Sequence, residues 1–238
     1  MIITINPEYK HLKEWIEAVP QRFTAESTVL YKGRNIVGTM LTEDRQTLCV
    51  KKYLVPLWPQ RIVYSFLRKT KAERAYYNAL TLLNLNIPTP KPVAYIVCKQ
   101  HGLITDTYLI TEYCPYKRNF YEFRQHGIIG YEHIIKQLAA LAAHMHNNGL
   151  IHKDFSPGNL LFEEENGHVA LSVIDINRMS TRKQVSLKQG CKNFERLWGN
   201  CDFFLYLAKE YALRRNISIA KCQQYTLKYH NQYWKHRK

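Results

Sequence analysis

One stretch constrains this chain more than any other: Ile151-His152-Lys153-Asp154-Phe155-Ser156-Pro157-Gly158-Asn159-Leu160-Leu161-Phe162. It follows Glu132 to Asn148, where Ile134, Leu138, Leu141 and Met145 recur at helical spacing and Asn147-Asn148-Gly149 ends the helix. It leads into Asn159 to Phe162, a short predicted strand, and Val169 to Ile174 reads as a second. Asp175 ends that second strand, within Val173-Ile174-Asp175-Ile176-Asn177. A lone aspartate at a strand end is ordinarily a turn or a cap. The order is what carries information here: helix, H-x-D-x-x-x-x-N, strand, strand, Asp. Pro157 and Gly158 let the chain turn so that Asp154 and Asn159 face one cleft.

That order matches the catalytic-loop pattern of kinases. Phosphoryl transfer needs a carboxylate beside the attacking hydroxyl, to orient it and accept its proton. It also needs an amide oxygen to hold a metal on the phosphates. The expected roles are therefore Asp154 as catalytic base, with Asn159 and Asp175 as metal ligands. His152 reads as a support of the loop rather than a base.

Upstream, Thr28 to Tyr31, Ile36 to Leu41 and Leu48 to Tyr53 are rich in strand formers. Turn sequences at Lys32-Gly33-Arg34-Asn35 and Glu43-Asp44-Arg45-Gln46 separate them, giving a three-stranded meander. Leu12, Trp15, Ile16 and Val19 mark an earlier amphipathic piece. A helix is expected from about Arg68 to Leu85, an extended Pro88-to-Pro92 segment after it, then strands over Val93 to Cys98 and Tyr108 to Tyr113. Helices are expected again over Asn193 to Arg214 and Ser218 to Trp234. The sum is an α+β, protein-kinase-like, two-lobed fold in one domain, residues 1–238. A small N-lobe, 1–114, would hold a five-stranded antiparallel sheet and one helix. A mainly helical C-lobe, 115–238, would follow.

Within this plan Lys51, on the third strand, is the expected phosphate-binding lysine; Lys52 must point to the opposite face. Its candidate partner is Glu73, the acidic residue of the following helix, for which a surface pair with Lys69 or Arg74 is the alternative. No G-x-G-x-x-G occurs, so Lys32, Gly33 and Arg34 in the first turn are the candidate phosphate contacts, beside the reading as a plain hairpin. Glu112 and Tyr113, at the expected lobe junction, would present backbone to adenine, an assignment resting on position alone.

Lys and Arg total 34 against 19 Asp and Glu, a net charge of +15. Such a field draws anionic partners without choosing among nucleic acid, acidic lipid and phosphorylated glycans. No run approaches the roughly 18 apolar residues of a membrane span, and Met1 to Lys10 lacks an apolar signal-peptide core. The six cysteines form no C-x-x-C pair, so zinc and a disulfide framework are not signalled. A cytoplasmic chain, peripheral on a membrane, is expected.

The chain resembles the lipopolysaccharide kinase family, the Kdo- and heptose-phosphorylating enzymes of the Gram-negative inner core. The resemblance is carried by Val50-Lys51-Lys52-Tyr53, the Ser65-to-Leu83 helix, Ile87 to Pro92, Thr111-Glu112-Tyr113, His152 through Asn159, and Ile174-Asp175-Ile176-Asn177-Arg178. It implies ATP and Mg²⁺, a sugar hydroxyl of lipid-linked core glycan as acceptor, the cytosolic face of the inner membrane, and no nucleic acid. One departure stands out: where relatives carry a glutamate a turn after Glu73, this chain has Tyr76-Tyr77-Asn78, which leaves the partner of Lys51 open. Two basic, aromatic segments are candidates for docking on an anionic membrane. One is Leu57 to Lys69; the other is the C-terminal stripe of Tyr225, Tyr229 and Tyr233 beside Lys221, Lys228 and Lys235. The rivals are another small-molecule or atypical protein kinase, and a non-catalytic basic module on a degenerate kinase scaffold. The lack of an A-P-E segment after Asp175 counts against a conventional protein kinase. The intact Asp154, Asn159 and Asp175 count against the module. The number of subunits is left open.

Overall fold

The structure, a computed structural model, describes residues 1–124 and 127–235. The chain divides into two compact units. One comprises Met1–Asn84 with Pro90–Pro115; the other comprises Leu85–Thr89 and the chain from Tyr116 onward.

The first unit is built on a six-stranded antiparallel sheet, where the sequence predicted five strands. Its strands are β1 (Ile2–Ile5), β2 (Thr28–Lys32), β3 (Ile36–Leu41), β4 (Thr47–Tyr53), β5 (Pro92–Gln100) and β6 (Leu103–Glu112), in spatial order β1-β5-β6-β4-β3-β2. The added strand is β1, which pairs Ile2 with Val97 and Ile5 with Ala94. Four residues are too few for a periodic signal; long-range pairing to β5 makes them a strand. The unit has three helices rather than one: α1 (Lys13–Glu26), α2 (Trp58–Phe66) and α3 (Lys71–Asn84).

The amphipathic face of Leu12, Trp15, Ile16 and Val19 continues to Phe23. It is buried in one core cluster with Leu48 and Val50 of β4 and Ile110 of β6. This fixes which face of β4 looks inward. Leu48 and Val50 are wholly buried, and Cys49 and Lys51 alternate to the other face.

The second unit contains β7 (Arg118–Asn119), α4 (Glu132–Asn147), β8 (Leu150–His152), β9 (Leu160–Glu165), β10 (His168–Val173), β11 (Met179–Thr181), α5 (Leu187–Asn193), α6 (Cys201–Arg215) and α7 (Ile219–Lys235). α4 packs on α6, burying Ile134, Leu138 and Leu141 against the side of Phe203, Leu207 and Tyr211. Of the helical range predicted from Asn193 to Arg214, residues from Cys201 onward form α6, and α5 lies ahead of it over Leu187–Asn193. Asn200 accepts the Phe203 N–H at 2.9 Å and starts α6 afresh, while Ser186 and Gln189 cap each other reciprocally and start α5 earlier. The intervening residues, 194–200, are thereby freed to lie beside the catalytic-type loop.

Gly149 joins α4 to β8 at φ +73°. A Cβ there would lie 2.1 Å from the backbone oxygen of Arg182, whose N–H donates to the Gly149 carbonyl at 2.8 Å. Gly149→Ala is expected to cost about 1–2 kcal/mol from the left-handed backbone alone, with the carbonyl collision added. Its thermal midpoint should fall by several degrees; an unchanged midpoint contradicts this reading.

Candidate active site

The loop from β8 to β9 and the segment after β10 are stitched together backbone to backbone. Lys153 N–H donates to Arg178 O at 2.9 Å, Ile174 N–H to Asn159 O at 2.9 Å, and His152 pairs with Met179 across β8 and β11. His152 closes the arrangement from inside and is fully buried. Its Nδ1 lies 3.1 Å from the Asp154 N–H and its Nε2 lies 3.1 Å from the Ile174 carbonyl. A backbone N–H only donates and a carbonyl only accepts, so these partners select the neutral Nε2–H tautomer. One imidazole therefore ties the backbone of Asp154 to the residue preceding Asp175. Burial pushes its pKa below the ordinary histidine range. The Ile174 carbonyl bond and the nearby charges of Asp175 and Asp154 push the other way.

Asn159 Nδ2 donates to Asp154 O at 2.9 Å and to Ser156 Oγ at 3.1 Å. Both its N–H groups are thus committed to the loop, and Oδ1 is the amide's remaining acceptor. Asp175 is held in the left-handed region at φ 55°, ψ 43°, and its Oδ1 accepts from Asn177 Nδ2 at 2.6 Å. Aspartate is among the few non-glycine residues that adopt this region readily, through local hydrogen bonds of the kind Asp175 makes with Asn177. The structure thus joins the segments that carry Asp154, Asn159 and Asp175, with His152 bonded to the Asp154 N–H and the Ile174 carbonyl.

A second line of bonds reaches His152 from behind. Arg215 Nη1 donates to Tyr211 Oη at 2.6 Å, Tyr211 Oη to His146 Nδ1 at 2.7 Å, His146 Nε2 to Asn193 Oδ1 at 3.0 Å, and Asn193 Nδ2 to His152 O at 2.8 Å. His146 is 2% exposed. Its position in the last turn of α4 faces α6, which helical spacing could not reveal. Burial pushes its pKa from 6.5 down to about 4.

Arg196, in the freed segment between α5 and α6, pairs through Nη1 with Asp154 Oδ1. Sequence reasoning missed it, because no local motif marks a residue brought in by tertiary packing.

The remaining predicted residues lie in the first unit. Lys51 sits on β4 with its Nζ 5.4 Å from the Tyr53 ring centre. Lys52, on the opposite face, pairs with Asp106 at 3.1 Å and lies over Tyr108. Glu73 falls in the first turn of α3, where its N–H donates to Thr70 Oγ1 at 3.0 Å and its carboxylate lies 3.8 Å from Lys69 Nζ. That is the surface pair weighed as the alternative. Lys32, Gly33 and Arg34 form the exposed β2–β3 turn, closed by Gly33 N–H to Asn35 O at 3.1 Å. Glu112 ends β6; its carboxylate accepts from Tyr9 Oη at 2.5 Å and its N–H donates to Lys91 O at 2.9 Å, and Tyr113 follows, exposed.

Comparison with known proteins agrees with this arrangement. The model of the lipopolysaccharide kinase (Kdo/WaaP) family matches residues 17–229. Among solved structures, WaaP in complex with acyl carrier protein is similar with a TM-score of 0.66 at 15% identity, covering 98% of this chain and 100% of that one. The Rio2 kinase–ADP/Mg²⁺-phosphoaspartate complex from Chaetomium thermophilum gives 0.51 at 14% identity, over 96% of this chain and 71% of that one. The fold is thus protein-kinase-like. Among characterised sequences, the eIF-2-alpha kinase GCN2 of Arabidopsis thaliana is 38% identical over 64 residues. The serine/threonine-protein kinase RCK2 of Saccharomyces cerevisiae is 58% identical over 31 residues. These matches span 26% and 13% of this chain and only 5% of either relative.

The buried histidines make stability depend on pH. The unfolded chain protonates His146 below about pH 6.5, the folded chain only below about 4. The unfolded state binds more protons in that window, so stability falls as pH falls. At pH 5 His146 alone should remove about 2 kcal/mol relative to neutral pH. Denaturant titrations at pH 7.5 and 5 should show this loss and a smaller one in His146→Asn. Equal losses in both proteins would contradict it.

Proposed function

This chain belongs to the lipopolysaccharide kinase (Kdo/WaaP) family, and from that premise we propose that it transfers the γ-phosphoryl group of Mg-ATP to a Kdo or heptose hydroxyl of the lipopolysaccharide inner core. The observation that carries the reading is the single buried imidazole joining the Asp154 and Asp175 segments.

The donor set suits the metal. Asn159 offers an amide oxygen and Asp175 a carboxylate, both hard oxygen ligands of the kind Mg²⁺ prefers. Bound Mg-ATP supplies the phosphoryl group and neutralises the charge that develops on it. Asp154 orients the sugar hydroxyl and takes its proton. Its Oδ1 is engaged by Arg196, so Oδ2 is the oxygen assigned to that proton. Lys51 is assigned to the α and β phosphates from its place on the third strand of the meander, on the face opposite Lys52. Glu73 is the proposed partner of Lys51 once it leaves Lys69. The turn of Lys32 and Gly33 covers the phosphates, and the backbone at Glu112 and Tyr113 receives adenine.

The chain carries a basic excess that suits an acceptor bearing carboxylates and phosphates at an anionic membrane. Among the described residues no helix is long and apolar enough to cross a membrane. α2 is the proposed membrane contact, placing the protein in the cytoplasm and peripheral on the inner membrane. It buries none of its residues, and Leu57, Trp58, Ile62, Phe66 and Leu67 are exposed around it beside Arg61, Arg68 and Lys69. The C-terminal stripe is a weaker candidate: α7 packs on α5 and α6, with Lys188 over Tyr225 and Arg196 over Tyr233.

Labelled ATP offered with deacylated core glycan, an aminoglycoside or a protein acceptor tests the activity. Transfer to the glycan alone is expected. Asp154→Asn should lower it by about 10²–10⁴-fold with the fold intact. Lys51→Met should weaken ATP use while Lys52→Met leaves ATP use nearly unchanged. Full turnover by Asp154→Asn rejects the assignment. In a separate flotation assay with anionic vesicles, replacing Leu57, Trp58 and Phe66 by serine should abolish binding. Retained binding would move the contact away from α2.

A further inference from the structure

The residues around Arg196 form a surface beside Asp154 to which the roles assigned above give no ligand. Tyr121, in the single helical turn after β7, lies against the catalytic-type loop: a Cβ on Gly158 would be 2.9 Å from its ring carbon Cε2. It is nevertheless 46% exposed. Its ring meets Trp198 at 4.7 Å between centroids and 68° between planes. Trp198 is only partly buried and lies two residues beyond Arg196. The guanidinium of Arg124 lies 4.5 Å over the Trp198 ring. Arg196 itself lies 5.6 Å over Tyr233 while pairing with Asp154.

The exposed ring of Tyr121, the partly buried ring of Trp198 and two guanidinium groups thus line this surface beside the proposed base. Trp198 also meets Trp234 edge-on at 6.1 Å, while the Tyr121 ring stays exposed beside it. The chemistry suits a particular ligand. Aromatic faces accept the C–H face of a pyranose ring. A guanidinium stacked on a ring keeps its edge N–H donors available, in the fork geometry that matches carboxylate or phosphate oxygens. Arg196 meets Asp154 through Nη1, and its fork carries further N–H donors that suit a ligand anion.

We propose that Tyr121, Arg124, Arg196 and Trp198 form the acceptor subsite, and that it selects a sugar bearing an anionic substituent over its neutral counterpart. The proposal rests on the sugar-kinase reading above and adds what recognises the acceptor. The sugar ring lies on Tyr121 and Trp198, and its carboxylate or phosphate lies on Arg124 and Arg196. A hydroxyl of that sugar is then delivered to Asp154.

The test is steady-state kinetics of the full chain with three forms of deacylated core glycan: intact, dephosphorylated and carboxyl-reduced. Arg124→Gln and Trp198→Leu alter exposed or half-exposed side chains, and thermal melts confirm their folding. Each should raise the KM for intact glycan by roughly tenfold to a hundredfold, the worth of a charge-assisted contact, while the KM for ATP moves less than twofold. Arg124→Gln should also lose the preference for whichever anionic form the wild type favours, which identifies carboxylate or phosphate as the substituent read. Unchanged acceptor KM in both variants, or an equal rise for ATP, overturns the subsite. A wild type that phosphorylates none of the glycans overturns the sugar-kinase reading instead. Glycan titration followed by tryptophan fluorescence then decides the subsite: it stands if Arg124→Gln binds at least about tenfold more weakly than wild type, and falls if the two bind alike.

Discussion

The imidazole of His152 is the interaction on which the rest of the site depends. It sits in a dry interior with one partner that can only donate and one that can only accept. Those two constraints select one tautomer and one ring orientation, and through them the spacing of two acidic segments that are remote in sequence. Protonation would put a second donor against the Asp154 N–H and break that bond, so burial and hydrogen bonding favour the same neutral state. Asn159 adds a local lock by spending its two N–H groups on the loop, which leaves its oxygen as the acceptor proposed to meet the metal.

The support beneath this loop is polar and continuous. Arg215, Tyr211, His146 and Asn193 hand hydrogen bonds from α6 through α4 to the His152 carbonyl. Buried polar groups are costly unless satisfied, and here each satisfies the next. The network holds the loop from beneath through the His152 carbonyl and touches neither the Asp154 nor the Asp175 carboxylate. In the first unit the same economy separates the adjacent lysines of β4. Lys52 is held by Asp106 on the face that continues the core, and Lys51 lies near the Tyr53 ring on the face where a nucleotide is proposed to bind.

Much of this was legible in the chain. The residues 36–41 strand and the 132–147 helix appear nearly where their periodicity places them, because each has a run long enough to carry its own signal. The loop residues were legible because phosphoryl transfer demands specific functional groups at narrow spacing. The missed features are the ones that only tertiary packing creates. Ile2–Ile5 is a strand through β5, not through its own length. Trp58–Phe66 has helical spacing, yet it buries nothing, so its apolar positions read equally as a docking segment. The break between α5 and α6 rests on one asparagine cap, and the arginine that this break delivers to Asp154 carries no motif.

The most direct test of the account is the ionisation state of His152, followed by ¹⁵N NMR of histidine-labelled protein with His152→Gln as the assignment control. The account predicts a neutral ring, protonated on Nε2 and bare on Nδ1, that stays neutral to a pH below the ordinary histidine midpoint. An imidazolium near neutral pH, or a neutral ring carrying its proton on Nδ1, would contradict the bonds that join the two acidic segments and the site built on them.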